Sequence, residues 1–143
     1  MTDSKISTPY EMIIEVVPED IDQMGHVNNV VYLRWVQMVA TKHWHTLATD
    51  EERDNLLWVV KKHVIEYKRP AFEGEKIIAR TWLGDVTKRF FERHTELLRE
   101  SDHKLLTKVS TIWTPIDFHT KRAIHVSPDL YARFSNPGVD STD

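Results

Sequence analysis

The sequence predicts an α+β fold in which an antiparallel sheet curls around one long central helix. Three observations carry that reading. The stretch from about Asn29 to Leu47 is apolar around most of a helical circumference, through Val30, Val31, Tyr32, Leu33, Trp35, Val36, Met38, Val39, Ala40, Trp44 and Leu47. One strand-like stretch precedes it, and four long stretches rich in β-branched and aromatic residues follow it. At 143 residues the chain is one domain without internal repeat or linker, large enough to bury roughly 70% of its unfolded surface.

In chain order, the polar opening MTDSKIST leads into Met12-Ile13-Ile14-Glu15-Val16-Val17, an apolar alternation read as a strand that Pro18 ends. The helix then runs on the order of 28 Å at 1.5 Å per residue. Its polar residues Arg34, Gln37, Thr41 and His45 fall on one narrow stripe, so nearly every other direction needs cover. Too short and too polar for a bilayer, the helix is expected to be wrapped by its own chain. Leu56 to Arg69 is the first covering strand, closed by Pro70. Glu75 to Leu83, Phe90 to Arg99 and Leu105 to Ile116 follow, separated by the turn-like GDVTKR and SDHK. Charges at Lys76, Arg80, Arg93 and Arg99 intersperse on alternate positions, as in a sheet wet on one side. Ser127-Pro128-Asp129 combines an N-cap, a first-turn proline and an acid, which starts a short helix running to about Phe134. Pro137 and Gly138 in the polar SNPGVDSTD then break any order, leaving a core of about residues 10–134.

Composition removes several function classes. Hydrophobic residues at 41% and charged residues at 29% are an ordinary soluble mix, and a net charge of −3 argues against a general nucleic-acid binder. With no cysteine there is no disulfide framework, thiolate zinc site or cysteine nucleophile. The four glycines form neither GxGxxG nor a P-loop, and GxSxG is absent. No apolar run approaches the ~18 residues of a membrane span, and MTDSKISTPY has no signal-peptide core, so a cytoplasmic location is expected. His43 and His45 invite a metal pair, but i and i+2 on a helix point apart, and no metal is expected.

One stretch carries more polar groups than its local structure needs. DQMGHVNNVVYLRW, Asp22 to Trp35, sets a lone carboxylate, a Gly-His pair and two asparagines directly ahead of the apolar helix. A helix start needs one capping side chain. Asp22 suits a reacting carboxylate and equally a turn or capping acid. His26 suits a group that orients Asp22 or binds substrate, and equally a hydrogen-bonded loop residue. Gly25, Asn28 and Asn29 fit any left-handed turn and cap.

The block Asp22-x-x-Gly25-His26-Val27-Asn28-Asn29, ahead of Tyr32, resembles the hot-dog-fold acyl-CoA thioesterases of the 4-hydroxybenzoyl-CoA thioesterase type. HVIEYKRPAFEGEKI, His63 to Ile77, is similar to that family's strand-Tyr-x-x-Pro-turn-Gly segment. Asp117, Thr120-Lys121-Arg122 and Pro128 fit its close, so the likeness runs from about Tyr10 to Phe134. Two departures stand out. Many relatives carry Glu where this chain has Gln37, and the turn reads Gly74-Glu75 where Gly-Asp is common. One hot-dog branch places its catalytic carboxylate on the central helix near the first of these positions. A glutamine cannot serve there, which leaves Asp22.

The resemblance implies hydrolysis of an acyl-CoA to a carboxylic acid and free coenzyme A, with no cofactor beyond the coenzyme A of the substrate. Asp22, ionised at neutral pH, would attack the thioester or orient a water. The backbone amide of Asn29, at a helix end bearing about half a positive charge, would hold the oxyanion. His26 would assist, and Gly25, Asn28, Tyr32 and Gln37 would line the substrate. The basic pairs Lys61-Lys62, Lys68-Arg69, Lys88-Arg89 and Lys121-Arg122 suit coenzyme A phosphates, an acidic acyl carrier protein, or plain solvent. Trp35, Trp58, Trp82, Phe90 and Phe91 would set pocket depth. Rival readings are an acyl-acyl-carrier-protein thioesterase using the same site and a non-catalytic dimer that binds acyl-CoA. The family arrangement also implies a homodimer or homotetramer, since one curled sheet leaves open edges.

Overall fold

A computed structural model describes residues 9–135; the polar ends, with the break expected at Pro137 and Gly138, lie outside the described residues. Five strands, β1 (Tyr10–Glu15), β2 (Leu56–Tyr67), β3 (Lys76–Val86), β4 (Phe91–Arg99) and β5 (Leu105–Asp117), form one antiparallel sheet in the order β1-β3-β4-β5-β2. Three helices accompany it: α1 (Asn29–Leu47), α2 (Asp50–Asn55) and α3 (Pro128–Ser135). The α+β class, the long helix and all five strands are as the sequence predicts.

The sheet's inner face carries the core. Ile77 and Ala79 of β3, Leu97 of β4 and Val109 of β5 pack with Val31, Trp35, Val36 and Val39 of α1. Trp35 is buried within its own chain. A second cluster, Leu83, Phe91, Val126, Leu130 and Phe134, seals α3 against the C-terminal end of α1 through Trp44 and Leu47. As expected, Ser127 caps α3, its Oγ accepting from the Leu130 N–H at 3.1 Å.

The helix is not wrapped on all sides. Arg34, Gln37, Thr41 and His45 form the exposed stripe the sequence assigns, but Lys42, Thr46 and Val30 are exposed as well, Val30 at 67%. One sheet curled over one helix covers only the side it faces. Three local features also depart from expectation. Thr49 and Glu52 form a reciprocal capping box that starts the unpredicted α2, at 3.1 and 2.9 Å. β3 runs through Gly84-Asp85-Val86, expected as turn, with a register shift between Leu83 and Val86. A Cβ at Gly84 would lie 2.5 Å from Glu92 Oε1 and 2.8 Å from His94 Nε2, so those side-chain ends would have to shift to admit one. In β2 a bulge between Val60 and Lys62 lets Lys61 and Lys62 both face solvent.

Arg93, expected on the wet face, points inward. It shares the parity of Phe91, Thr95 and Leu97 along β4, and all four are buried. Its Nη1 donates to His43 Nδ1 at 2.9 Å and to Thr81 Oγ1 at 3.1 Å. Burial, helped by the neighbouring guanidinium, pushes the His43 imidazole from its ordinary 6.5 down to about 4. A neutral ring that accepts at Nδ1 is therefore the working state. Between pH 6.5 and about 4 the unfolded chain takes up a proton at this histidine that the folded chain refuses. Stability present above 6.5 is lost as the pH falls through that window, by at most about 3 kcal/mol. His43→Gln keeps an acceptor for Arg93 without a titrating ring. Urea unfolding at several pH values should show a shallower acid slope in this variant, and equal slopes would refute the assignment.

Candidate active site

The residues ahead of α1 fold into a tight loop built around Asp22. Its N–H donates to the His26 carbonyl at 2.8 Å, and Ile21 bridges Val27. Asp22 Oδ1 accepts from the Met24 N–H at 2.9 Å and the His26 N–H at 3.2 Å. That leaves Oδ2 of a half-buried carboxylate without a hydrogen-bond partner among the described residues. One oxygen orients the group, and the other is available for chemistry. Gly25 adopts φ +82°, and nothing stands within 4 Å of where a Cβ would be. Backbone conformation therefore requires the glycine, and the space beside it stays open.

The loop is fixed to the helix and to the sheet. Val27 N–H donates to the Ala71 carbonyl at 3.0 Å, and Asn28 N–H to the Asp20 carbonyl at 2.8 Å. Asn28 caps α1, its Oδ1 accepting from the Val30 N–H at 3.1 Å. Asn29 is the first helical residue, exposed, and its N–H has no acceptor among the described residues. A carboxylate with one unengaged oxygen and a free amide at a helix N-terminus thus sit seven residues apart on one pinned loop.

Sequence reasoning missed Asp20. It is buried, and the exposed Arg34 donates to its Oδ1 from Nη2 at 2.6 Å. This pair ties the loop to the second turn of α1. The Pro18-Glu19-Asp20 turn carried the signal: an acid held by a proline-led 3-10 turn, fourteen residues ahead of a helical arginine.

The other candidate residues lie at stated distances from this centre. The His26 ring packs edge-on against Phe72 at 5.3 Å, so it is its backbone rather than its imidazole that touches Asp22. Tyr32 is buried, its hydroxyl accepting from the Ala71 N–H at 3.0 Å, and burial pushes its phenol pKa up. Gln37 is exposed on α1, eight residues beyond Asn29 and about 12 Å along the axis. Within one chain it stands apart from the loop. Trp58 and Phe91 line a cavity at the far end of α1, whereas Trp82 stacks on His94 at 5.7 Å. Of the basic pairs, Arg69 donates to the Leu105 carbonyl and Lys68 lies 3.7 Å from Glu66, while Lys61 and Lys62 face solvent. Among the described residues no group of three or more His, Asp or Glu side chains is placed to hold a metal ion, and no helix is long and apolar enough to cross a membrane.

Residues 16–134 match the thioesterase-like superfamily. The chain belongs to that superfamily. A stretch of 75 residues is 36% identical to "Putative acyl-CoA thioesterase YneP" of Bacillus subtilis (strain 168), covering 50% of this chain and 54% of the relative. The match thus spans about half the length of that curated relative. Among solved structures, a DHNA-CoA thioesterase from Staphylococcus aureus superposes with a TM-score of 0.81 at 21% identity, over 94% of this chain and 93% of that one. Slr0204, a 1,4-dihydroxy-2-naphthoyl-CoA thioesterase from Synechocystis, gives 0.78 at 14% identity, over 93% and 98%. At such identities the likeness speaks for the fold, and the thioesterase-like chain has the hot-dog fold that its DxxGHVNN block implies. The block itself falls inside the matched residues.

Proposed function

We propose that this chain is an acyl-CoA thioesterase in which Asp22 is the reacting carboxylate and the Asn29 amide holds the oxyanion. The observation that carries the reading is the pinned loop, with Asp22 Oδ1 committed to two backbone amides and the Asn29 N–H left free. The free Oδ2 attacks the thioester carbonyl or draws a proton from an attacking water. Negative charge then develops on the carbonyl oxygen, where a helix N-terminus stabilises it. Collapse expels coenzyme A as the thiolate. Where water attacked, the carboxylic acid is left directly; where Asp22 attacked, a water then hydrolyses the acyl-Asp22 anhydride to release the acid and restore the carboxylate. Gly25 leaves the space that the substrate backbone needs. Family membership and the similarity to a putative acyl-CoA thioesterase support coenzyme A as the carrier.

A panel of acyl-CoA substrates, with an acyl carrier protein conjugate beside them, tests the reading by free-thiol detection. The chain has no cysteine and adds no thiol background. Thiol release above the uncatalysed rate is expected. Its absence across the panel would leave the non-catalytic reading in place.

The proposal includes a dimer. β2 is an edge strand, paired on one side with β5 alone, and it exposes Leu57, Val59, Val64 and Tyr67 at 39–50%. An open, apolar edge of that length is a template for pairing with a second copy. Light scattering at micromolar concentration should give at least twice the chain mass, and Val59→Lys should lower it. An active monomer would refute the dimer.

A further inference from the structure

A cavity of about 280 Å³ lies at the C-terminal half of α1, away from the Asp22 loop. Trp44, Trp58, Phe91, Trp113 and Phe134 give it aromatic walls, and Arg93 forms part of its lining. Trp58 and Phe91 stand with ring centroids 4.7 Å apart, and Phe91 is the register partner of Trp113 across β4 and β5. Three of these residues bring donors that nothing satisfies fully. The Trp58 and Trp113 Nε1–H groups are buried without a hydrogen-bond partner. The buried Arg93 gives its Nη1 to two neutral acceptors, His43 and Thr81, and no carboxylate among the described residues lies within 4 Å of its guanidinium. Arg53 also reaches the lining, but Asp50 neutralises it.

Proteins rarely bury a cation without an anion, or indole N–H groups without acceptors, because each loses its water and gains nothing. Here the Arg93 and both indole side chains line one cavity. Desolvation drives the Arg93 pKa down to about 10, with no opposing contribution from an acid. The missing partner is an oxygen acceptor with negative charge.

We propose that this cavity binds an organic carboxylate, its apolar body among the tryptophans and phenylalanines and its oxygens on Arg93 and the indole N–H groups. At about 30 Å³ per water-sized unit, the space suits a body of about nine non-hydrogen atoms, the size of benzoate. Two sources supply that chemistry. One is a free acid bound in its own right. The other is the far end of an acyl group whose thioester lies at the Asp22 loop, a source that rests on the thioesterase reading above. Thr41 lies about 18 Å along α1 from Asn29, so within one chain a short acyl group does not reach. Trp58 marks the cavity end of β2 and Tyr67 the end beside Asn29, its hydroxyl 3.5 Å from the Asn29 carbonyl. Antiparallel pairing of two β2 edges would set the cavity of one copy beside the loop of the other.

The test uses the intact protein and a matched pair of probes, benzoate and the isosteric neutral benzamide, read by tryptophan fluorescence and calorimetry. Benzoate should bind at least about tenfold more tightly, the scale of a charge-assisted hydrogen bond. Arg93→Met, similar in length and uncharged, should abolish that preference, and Trp113→Phe should weaken it without loss of the aromatic wall. The wild-type comparison stands even where a variant does not fold. Equal binding of the two probes, or no binding of benzoate at millimolar concentration, would overturn the proposal. Hydrolysis of adipoyl-CoA against hexanoyl-CoA separates the sources. An adipoyl preference lost in Arg93→Met assigns the site to the acyl end, and benzoate binding without such a preference assigns it to a free acid. Failure of all acyl-CoA hydrolysis with benzoate binding intact would strike the thioesterase reading and leave the carboxylate site standing.

Discussion

Asp22→Asn lowers kcat by on the order of 10²–10⁴ on the best acyl-CoA while the protein stays folded. The expectation rests on what the substitution keeps. Asparagine retains an Oδ1 acceptor for the Met24 and His26 amides, so the loop and the Asn28 cap persist. It replaces the free carboxylate oxygen with an amide nitrogen, which neither attacks a carbonyl nor takes a proton from water. The loss should therefore appear in kcat, with KM little changed and the urea midpoint close to wild type. Turnover near the wild-type rate would remove Asp22 from the chemistry. Loss of turnover together with a large drop in stability would mean that the carboxylate serves the loop alone.

The architecture was legible in the sequence because it rests on long-range patterning. β1, α1 and the four later strands announce themselves through apolar content, and Pro18, Pro70 and Ser127-Pro128 mark boundaries that the structure keeps within a few residues. Several of the features that escaped depend on parity or on pairs distant in sequence. Arg93 read as one more charge on a wet strand, although its alternation with Phe91, Thr95 and Leu97 already placed it inward. The Asp20–Arg34 pair needs the loop folded back on the helix before either residue means anything. The degree to which α1 is covered was overestimated because an apolar helix reports that it needs partners, and not how many the chain supplies. In the candidate site, the Asn28 cap and the left-handed Gly25 were readable from local rules, whereas the division of labour between the two Asp22 oxygens was not.

The double variant Asp22→Asn with Gln37→Glu should remain as inactive as Asp22→Asn alone, down by on the order of 10²–10⁴. Gln37 sits on the exposed stripe of α1, about 12 Å along the axis from the Asn29 amide, among Arg34, Thr41 and His45. A carboxylate there has the right charge but would meet the thioester from another direction than one held by the Asp22 loop. Catalysis falls steeply with misplacement on the ångström scale, so a nearby acid is not a substitute for a positioned one. The single variants frame the comparison. Gln37→Ala should cost about tenfold at most, the scale of one net hydrogen bond. Gln37→Glu should leave turnover largely intact and the acid limb of the pH profile unmoved, because within one chain the new carboxylate stands about 12 Å along the helix axis from the Asn29 amide. A moved acid limb would place the two side chains within electrostatic reach of each other. Recovery of the double variant to within about tenfold of wild type would show the two positions to be interchangeable. The reacting carboxylate would then be defined by the pocket it enters, and not by the loop that holds Asp22.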